Sequence, residues 1–296
     1  MRTARKEIKM IDRATFGPGG NSESFYAEGK KGTVDAPAWV REKGLDAYEF
    51  EAGNGLNASE ETLSKIGKAA RENGILMSFH TPYYISLSGV DPEKRLKSIE
   101  YIKKSLRAAE LLGADTIVVH SGSAAKITRE EAMRLASDTL VKTLEAVGDT
   151  DIHIGLETMG KINQLGTLDE VIELCRISPK LYPVVDFGHM NARNIGGYFT
   201  DVDSYRAVFD KIGSALGDKY AYNLHCHFSK IEYTGAGEKK HLTFADTEYG
   251  PEFEPLALAI VAEKVAPRII CESAGTMAED ALAMKQMWLA AAQRGI

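Results

Sequence analysis

Short runs of apolar, often β-branched residues alternate along this chain with longer stretches whose apolar positions recur every three or four residues. The first spacing suits strands and the second suits helices with one buried face. Strands are predicted at 8–16, 46–52, 75–80, 116–120, 153–157, 182–186, 222–228 and 268–272. Helices are predicted at 59–73, 92–112, 128–147, 167–177, 203–216, 252–264 and 277–294. Several helices carry their own punctuation. Ser59 precedes Glu60-Glu61, Asp91 precedes Pro92, and Asn73-Gly74 and Leu112-Gly113 supply stops. Eight strand–helix alternations without a break in composition favour a parallel sheet. Eight units within 296 residues favour closure into a (β/α)8 TIM barrel of the α/β class, one domain spanning 1–296, over an open doubly wound sheet. No G-x-G-x-x-G follows the first strand, and Gly17-Pro18-Gly19-Gly20 reads as a mobile loop, not a phosphate cradle.

The ionisable residues fall at the strand ends. Strand three ends in His80, strand four in His120, strand five in Glu157 and strand six in Asp186, with His189 three residues on. Strand seven carries His225-Cys226-His227 and strand eight ends in Glu272. In a closed barrel these ends converge on one mouth, where barrel enzymes place their chemistry. Any one of them alone would read as a rim or capping residue; six strands together do not. Glu157, Asp186 and Glu272 so close together require a cation between them to stay ionised. Imidazole with carboxylate suits zinc, and also manganese or iron, better than calcium or magnesium. Alternation turns Cys226 and Cys271 towards the helices. It places His227 one layer nearer the mouth than His225, making His227 the better ligand candidate, while His153 should lie deep.

Composition narrows the picture a little further. The three cysteines, Cys175, Cys226 and Cys271, form no C-x-x-C pair, so any metal must be held by His, Asp and Glu. The formal charge of −6 gives no global basic footprint for nucleic acid, leaving local rims at Lys30-Lys31 and Lys239-Lys240. There is no signal-peptide pattern and no apolar run of the ~18 residues needed to span a bilayer. These features predict a soluble, cytoplasmic protein.

The segments Ser78-Phe79-His80-Thr81-Pro82-Tyr83, Val119-His120-Ser121-Gly122-Ser123, Leu156-Glu157-Thr158, Asp186-Phe187-Gly188-His189, His227-Phe228-Ser229 and Cys271-Glu272-Ser273 occur in this order at barrel spacing. In these pieces the chain resembles endonuclease IV, the zinc-dependent apurinic/apyrimidinic endonuclease family of base-excision repair, and its xylose-isomerase-like relatives. The resemblance implies two to three zinc ions. His80 and His120 would hold one, bridged by Glu157 to a second that also takes Asp186, His227 and Glu272. A third would take His189 and His241, together with an Asp two residues before His241. Here that place is held by Lys239, with Glu238 beside it, which leaves the third ion open. The resemblance further implies catalytic roles for Glu157 and Glu272 and a substrate-contacting aromatic at Tyr83. The implied substrate is duplex DNA with an abasic site, cleaved on its 5′ side, with no membrane and no obligate protein partner. The family's basic, amide-rich loop after strand two has no clear match in Gly53-Asn54-Gly55-Leu56-Asn57.

The rival reading is a single-metal sugar isomerase or epimerase of the same superfamily. The set Glu157, Asp186, His227 and Glu272 would satisfy it, but it has no need of His80, His120 and His241. A barrel retaining a purely structural metal fits less well, because structural zinc sites close at four ligands.

Overall fold

The computed structural model describes residues 12–294. Ten strands are present among them: β1 Thr15–Pro18, β2 Ala47–Glu51, β3 Leu76–His80, β4 Thr116–His120, β5 His153–Glu157, β6 Leu181–Asp186, β7 His225–Phe228, β8 Ile231–Thr234, β9 Gly237–His241 and β10 Arg268–Cys271. Eight of them form one parallel sheet in the order β1-β10-β7-β6-β5-β4-β3-β2, while β8 and β9 pair as a separate antiparallel hairpin. The sheet curls shut between β1 and β2. There the Asp46 amide donates to Phe16 O at 2.8 Å and the Gly20 amide to Glu49 O at 3.0 Å. This seam dictates glycine at 17, since a Cβ there would stand 1.8 Å from Ala47 O. The fold is a TIM barrel.

The helices form where the sequence punctuates them. The Ser59 hydroxyl accepts from the Thr62 amide, and the Asp91 carboxylate accepts from the Glu93 amide ahead of the helix Pro92–Leu112. Gly74 and Gly113 end their helices in the left-handed conformation. Each helix buries its apolar stripe on the strands, as Leu63, Ile66 and Ala70 do. At the barrel's floor Arg268 holds Asp115 with two hydrogen bonds, of 2.8 and 2.6 Å, and also donates to Met77 O, tying β10 to the entries of β3 and β4. Among the described residues no helix is long and apolar enough to cross a membrane.

Several boundaries differ from expectation. The first strand was expected at 8–16; positions 8–11 lie outside the described residues, and the strand runs to Pro18. Gly17 and Pro18 are therefore strand, not loop, because the closing seam needs a residue without a side chain. The seventh strand begins at His225, since Tyr222 closes the short helix Asp218–Tyr222. The eighth stops at Cys271, although the Glu272 amide still bonds Phe228 O at 3.1 Å. The β8–β9 hairpin and the short helix Phe187–Arg193 were not foreseen.

Candidate metal centre

At the mouth of the barrel the last residues of β3, β4, β5 and β6 turn inward together. Glu157, wholly buried, stands at the middle. Its Oε2 faces the Nε2 atoms of His80 at 3.5 Å and His120 at 3.4 Å. Its Oε1 faces Nδ1 of His227 at 3.0 Å and Nδ1 of His189 at 3.4 Å. One carboxylate thus looks both ways. Glu272, just past β10, brings Oε1 within 3.3 Å of His227 Nδ1. Asp186 caps the helix Phe187–Arg193 by accepting the His189 amide on Oδ1 at 2.7 Å, which leaves Oδ2 directed at the cluster.

Outer partners orient these rings. The Nδ1 of His80 meets Thr81 O at 3.0 Å, that of His189 meets Thr158 O at 3.0 Å, and that of His241 meets the Ser229 hydroxyl at 2.8 Å. A ring that donates there keeps its Nε2 lone pair for the mouth.

The hairpin supplies the remaining flank. Between Glu232 and Tyr233 the pairing skips Lys239, a bulge that places Glu238 and His241 on one face although they are three residues apart. Glu238 Oε2 lies 3.5 Å from His189 Nε2, and its Oε1 lies 4.0 Å from His241 Nε2. Lys239 turns outward to pair with Glu232. Gly160 makes the approach possible, because a Cβ there would stand 2.7 Å from Glu238 Oε2.

Two carboxylates went unrecognised in the sequence. Glu49 and Glu51, on β2, point into the barrel and sit level with Ser78 and His80 of β3. Glu49 is wholly buried between His225 and His227, with Nε2 atoms at 2.9 and 2.8 Å. Glu51 lines the mouth with Glu272. The legible signal was an acidic pair two residues apart in an otherwise apolar strand, Ala47-Tyr48-Glu49-Phe50-Glu51. His225 thus belongs with Glu49 beneath the mouth, and His153 stacks on Tyr182 at 3.6 Å, away from the site. Cys226 and Cys271 are buried and free.

Burial and the crowding of carboxylates around the histidines set the electrostatics of the cluster. Burial opposes the charge on His80, but Glu51 and Glu157 outweigh it and push its pKa up to about 10. Burial dominates at His120 and drives it down to about 3. Burial also lifts Glu51 to about 7 and raises Glu272 well above the usual carboxylate range. Despite burial, His227 and its neighbours hold Glu157 well below that range. Glu157 Oε2 and Asp186 Oδ2 are buried with no hydrogen-bond partner, as expected of ligand atoms directed at a cation. The donor set of imidazoles and carboxylates fits a zinc-like ion. Ligand atoms of Glu157, Asp186, His227 and Glu272 lie within 4.8 Å of one another, as do those of His80, Glu157 and His227, and those of His189, His241 and Glu272.

Above the cluster opens a cavity of about 820 Å³ whose walls include Asn54, Asn57, Tyr83, Lys161 and Gln164. The loop after β2 therefore does face the site, through its asparagines. Tyr83 stacks on His120 with ring centres 5.3 Å apart, its ring half exposed at the rim.

The profile of the xylose isomerase-like TIM barrel family matches residues 37–291. The chain belongs to that family. An uncharacterized protein of Methanocaldococcus jannaschii is 28% identical over 90% of this chain and 93% of its own length. A "Probable endonuclease 4" of Acholeplasma laidlawii is 31% identical over 67% of this chain and 72% of its own. Among solved structures, endonuclease IV from Thermus thermophilus superposes with a TM-score of 0.68 at 17% identity, covering 96% of this chain and 100% of that one. A D-tagatose 3-epimerase-like protein does so at 0.67 and 19%, covering 87% and 93%. At such identities the superpositions speak to the fold alone.

Proposed function

We propose that this family member is a metal-dependent phosphodiesterase that cleaves duplex DNA on the 5′ side of abasic sites. The observation that carries the reading is Glu157, with His80 and His120 on one oxygen and His227 on the other. A one-ion site has no use for the first pair; a site for two adjacent ions needs a bridging carboxylate with ligands on both sides. Bound there, such ions acidify a water and offset the charge of a phosphodiester and its leaving oxygen. His80, His120 and Glu157 would hold one ion, and Glu157, Asp186, His227 and Glu272 the other. The endonuclease 4 names of the relatives point the same way.

The chain's own residues would do the rest. Tyr83 offers an exposed ring at the rim for stacking beside a flipped-out sugar. Asn54, Asn57, Lys161 and Gln164 offer donors to the flanking phosphates. Glu272, just past β10 at the mouth, would serve as an ion ligand facing the reacting phosphate.

A second reading, a one-metal ketose epimerase, is favoured by the acidic mouth, where Glu51 and Glu49 join Glu272. The deciding experiment incubates zinc- or manganese-loaded protein with a duplex bearing one abasic analogue, beside an undamaged control. Nicking of the damaged strand alone is expected. An intact strand together with interconversion of a ketose and its epimer would put the second reading in its place.

A further inference from the structure

Of the histidines that approach the centre through a nitrogen with a visible partner on the other, His80, His189 and His241 lean on neutral oxygens, namely two backbone carbonyls and a serine hydroxyl. His227 differs. Its Nδ1 faces Glu157 and Glu272, while its Nε2 stands 2.8 Å from a carboxylate oxygen, Glu49 Oε1. The N–H direction falls off the line between the two atoms, so the contact is an ion pair more than an aligned hydrogen bond. The other oxygen of Glu49 takes an in-line bond from His225 Nε2 at 2.9 Å. Glu49 and His227 are both wholly inaccessible to solvent.

We infer that Glu49 is the positioning residue of the centre, gripping His225 and His227 from below so that His227 presents its Nδ1 lone pair to an ion held by Glu157, Asp186 and Glu272. This rests on the metal-centre reading above and adds to it a residue from β2, a strand that contributes no ligand to that reading. The physical case has three parts. An imidazole that gives Nδ1 to a metal must keep its proton on Nε2, and a buried N–H needs an acceptor. A carboxylate acceptor makes the ring a stronger donor to the metal than a carbonyl would, and it fixes the ring's rotation. A buried carboxylate is costly unless matched by positive charge, and a metal-bound imidazole beside it provides that match. His225 completes the clamp: held by Oε2, the Glu49 carboxylate cannot swing away from His227.

A merely structural Glu49 would affect folding and leave metal binding alone, so the test reads metal affinity. The full-length chain is stripped with chelator, checked for its far-ultraviolet dichroism, and titrated with cobalt against a competing chromophoric chelator while the visible absorption is recorded. In Glu49→Gln the affinity of the site holding His227 should fall by about 10- to 100-fold and its cobalt band should move. Glu49→Asp, which keeps the charge but cannot reach both imidazoles, should fall between Gln and wild type. It also carries the test alone if the Gln variant does not fold. Wild-type affinity and an unmoved band in the folded variant would overturn the inference. Glu157→Gln, run in parallel, separates the two claims. If it loses cobalt while Glu49→Gln does not, only the role of Glu49 falls; if the wild type takes up no cobalt, the metal-centre reading falls and Glu49 with it.

Discussion

The two oxygens of Glu157 serve different histidines, whereas His241 touches the cluster from its margin, 3.9 Å from Glu272. Glu157→Gln should therefore lower kcat/KM on abasic duplex by at least ~100-fold, the scale of losing an electrostatic stabiliser at the reacting atoms. His241→Ala should cost far less, and comparable mild losses in the two would mean that Glu157 is a bystander. Of the residues that sequence alone could name, His80, His120, Glu157, Asp186 and Glu272 each end or directly follow an apolar run, and His227 stands out in the His225-Cys226-His227 repeat. Glu49 and Glu51 escaped because their strand begins with Ala47 and Tyr48 and carries its acids inside it. A carboxylate within a strand is legible only once the opposite wall, here His225 and His227, is known.

At the level of elements, the floor and the flank of the barrel make separate demands. On the floor, Asp115 meets a buried guanidinium. Burial works against its ionisation, but Arg268 outweighs burial and holds its pKa at about 2. That pKa lies below the unfolded value, so the pair's contribution is present above about pH 4 and is lost as pH falls towards 2. Asp115→Ala strands a buried cation, and because Asp115 itself is about one-third exposed the cost in urea unfolding at neutral pH should be about 2 kcal/mol. It should also flatten the acid limb of the stability curve relative to wild type. On the flank, Glu238→Ala removes the carboxylate that the bulge sets on the face carrying His241. The expected result is one cobalt equivalent fewer with unchanged far-ultraviolet dichroism; unchanged stoichiometry would show that the hairpin holds no ion. The hairpin was illegible because Glu232 to His241 is mostly polar and lacks the alternation of a half-buried strand. The long helices were legible because Ser59, Asp91 and Thr128 cap them within the sequence itself.

For the molecule as a whole, binding of a metal on this reading competes with protons. His80, with its pKa raised to about 10, is protonated at neutral pH and must lose that proton to bind a metal. In the metal-free chain its raised pKa contributes stability below about pH 6.5 that disappears as pH climbs through 10. Metal affinity moves the other way, rising as protons leave. The gap in Tm between zinc-loaded and stripped protein should therefore widen from pH 6 to pH 9, as calorimetry at fixed zinc can show; a constant gap would contradict it. Charge sets a second expectation. A chain at −6 gains about +4 to +6 at the mouth from two or three dications. DNA affinity should then vanish on chelation and show a shallower salt slope than that of strongly basic DNA binders.

The seam that closes the barrel also fixes an order of events. β1 meets β2 across that seam and pairs on its other side with β10, Thr15 beside Arg268, so closure that sets Glu49 against His225 and His227 needs strands from both ends of the chain side by side. Until then a refolding chain owns only part of its ligand ring: His80, His120 and Glu157 come from neighbouring strands, while Glu272 arrives with β10. Contacts this distant in sequence form slowly. On the metal-centre reading, tight capture of a cation should come at the end of folding. In refolding with cobalt present, visible colour should lag behind recovery of helical dichroism, and the lag should shorten in a circular permutant that makes β10 and β1 consecutive.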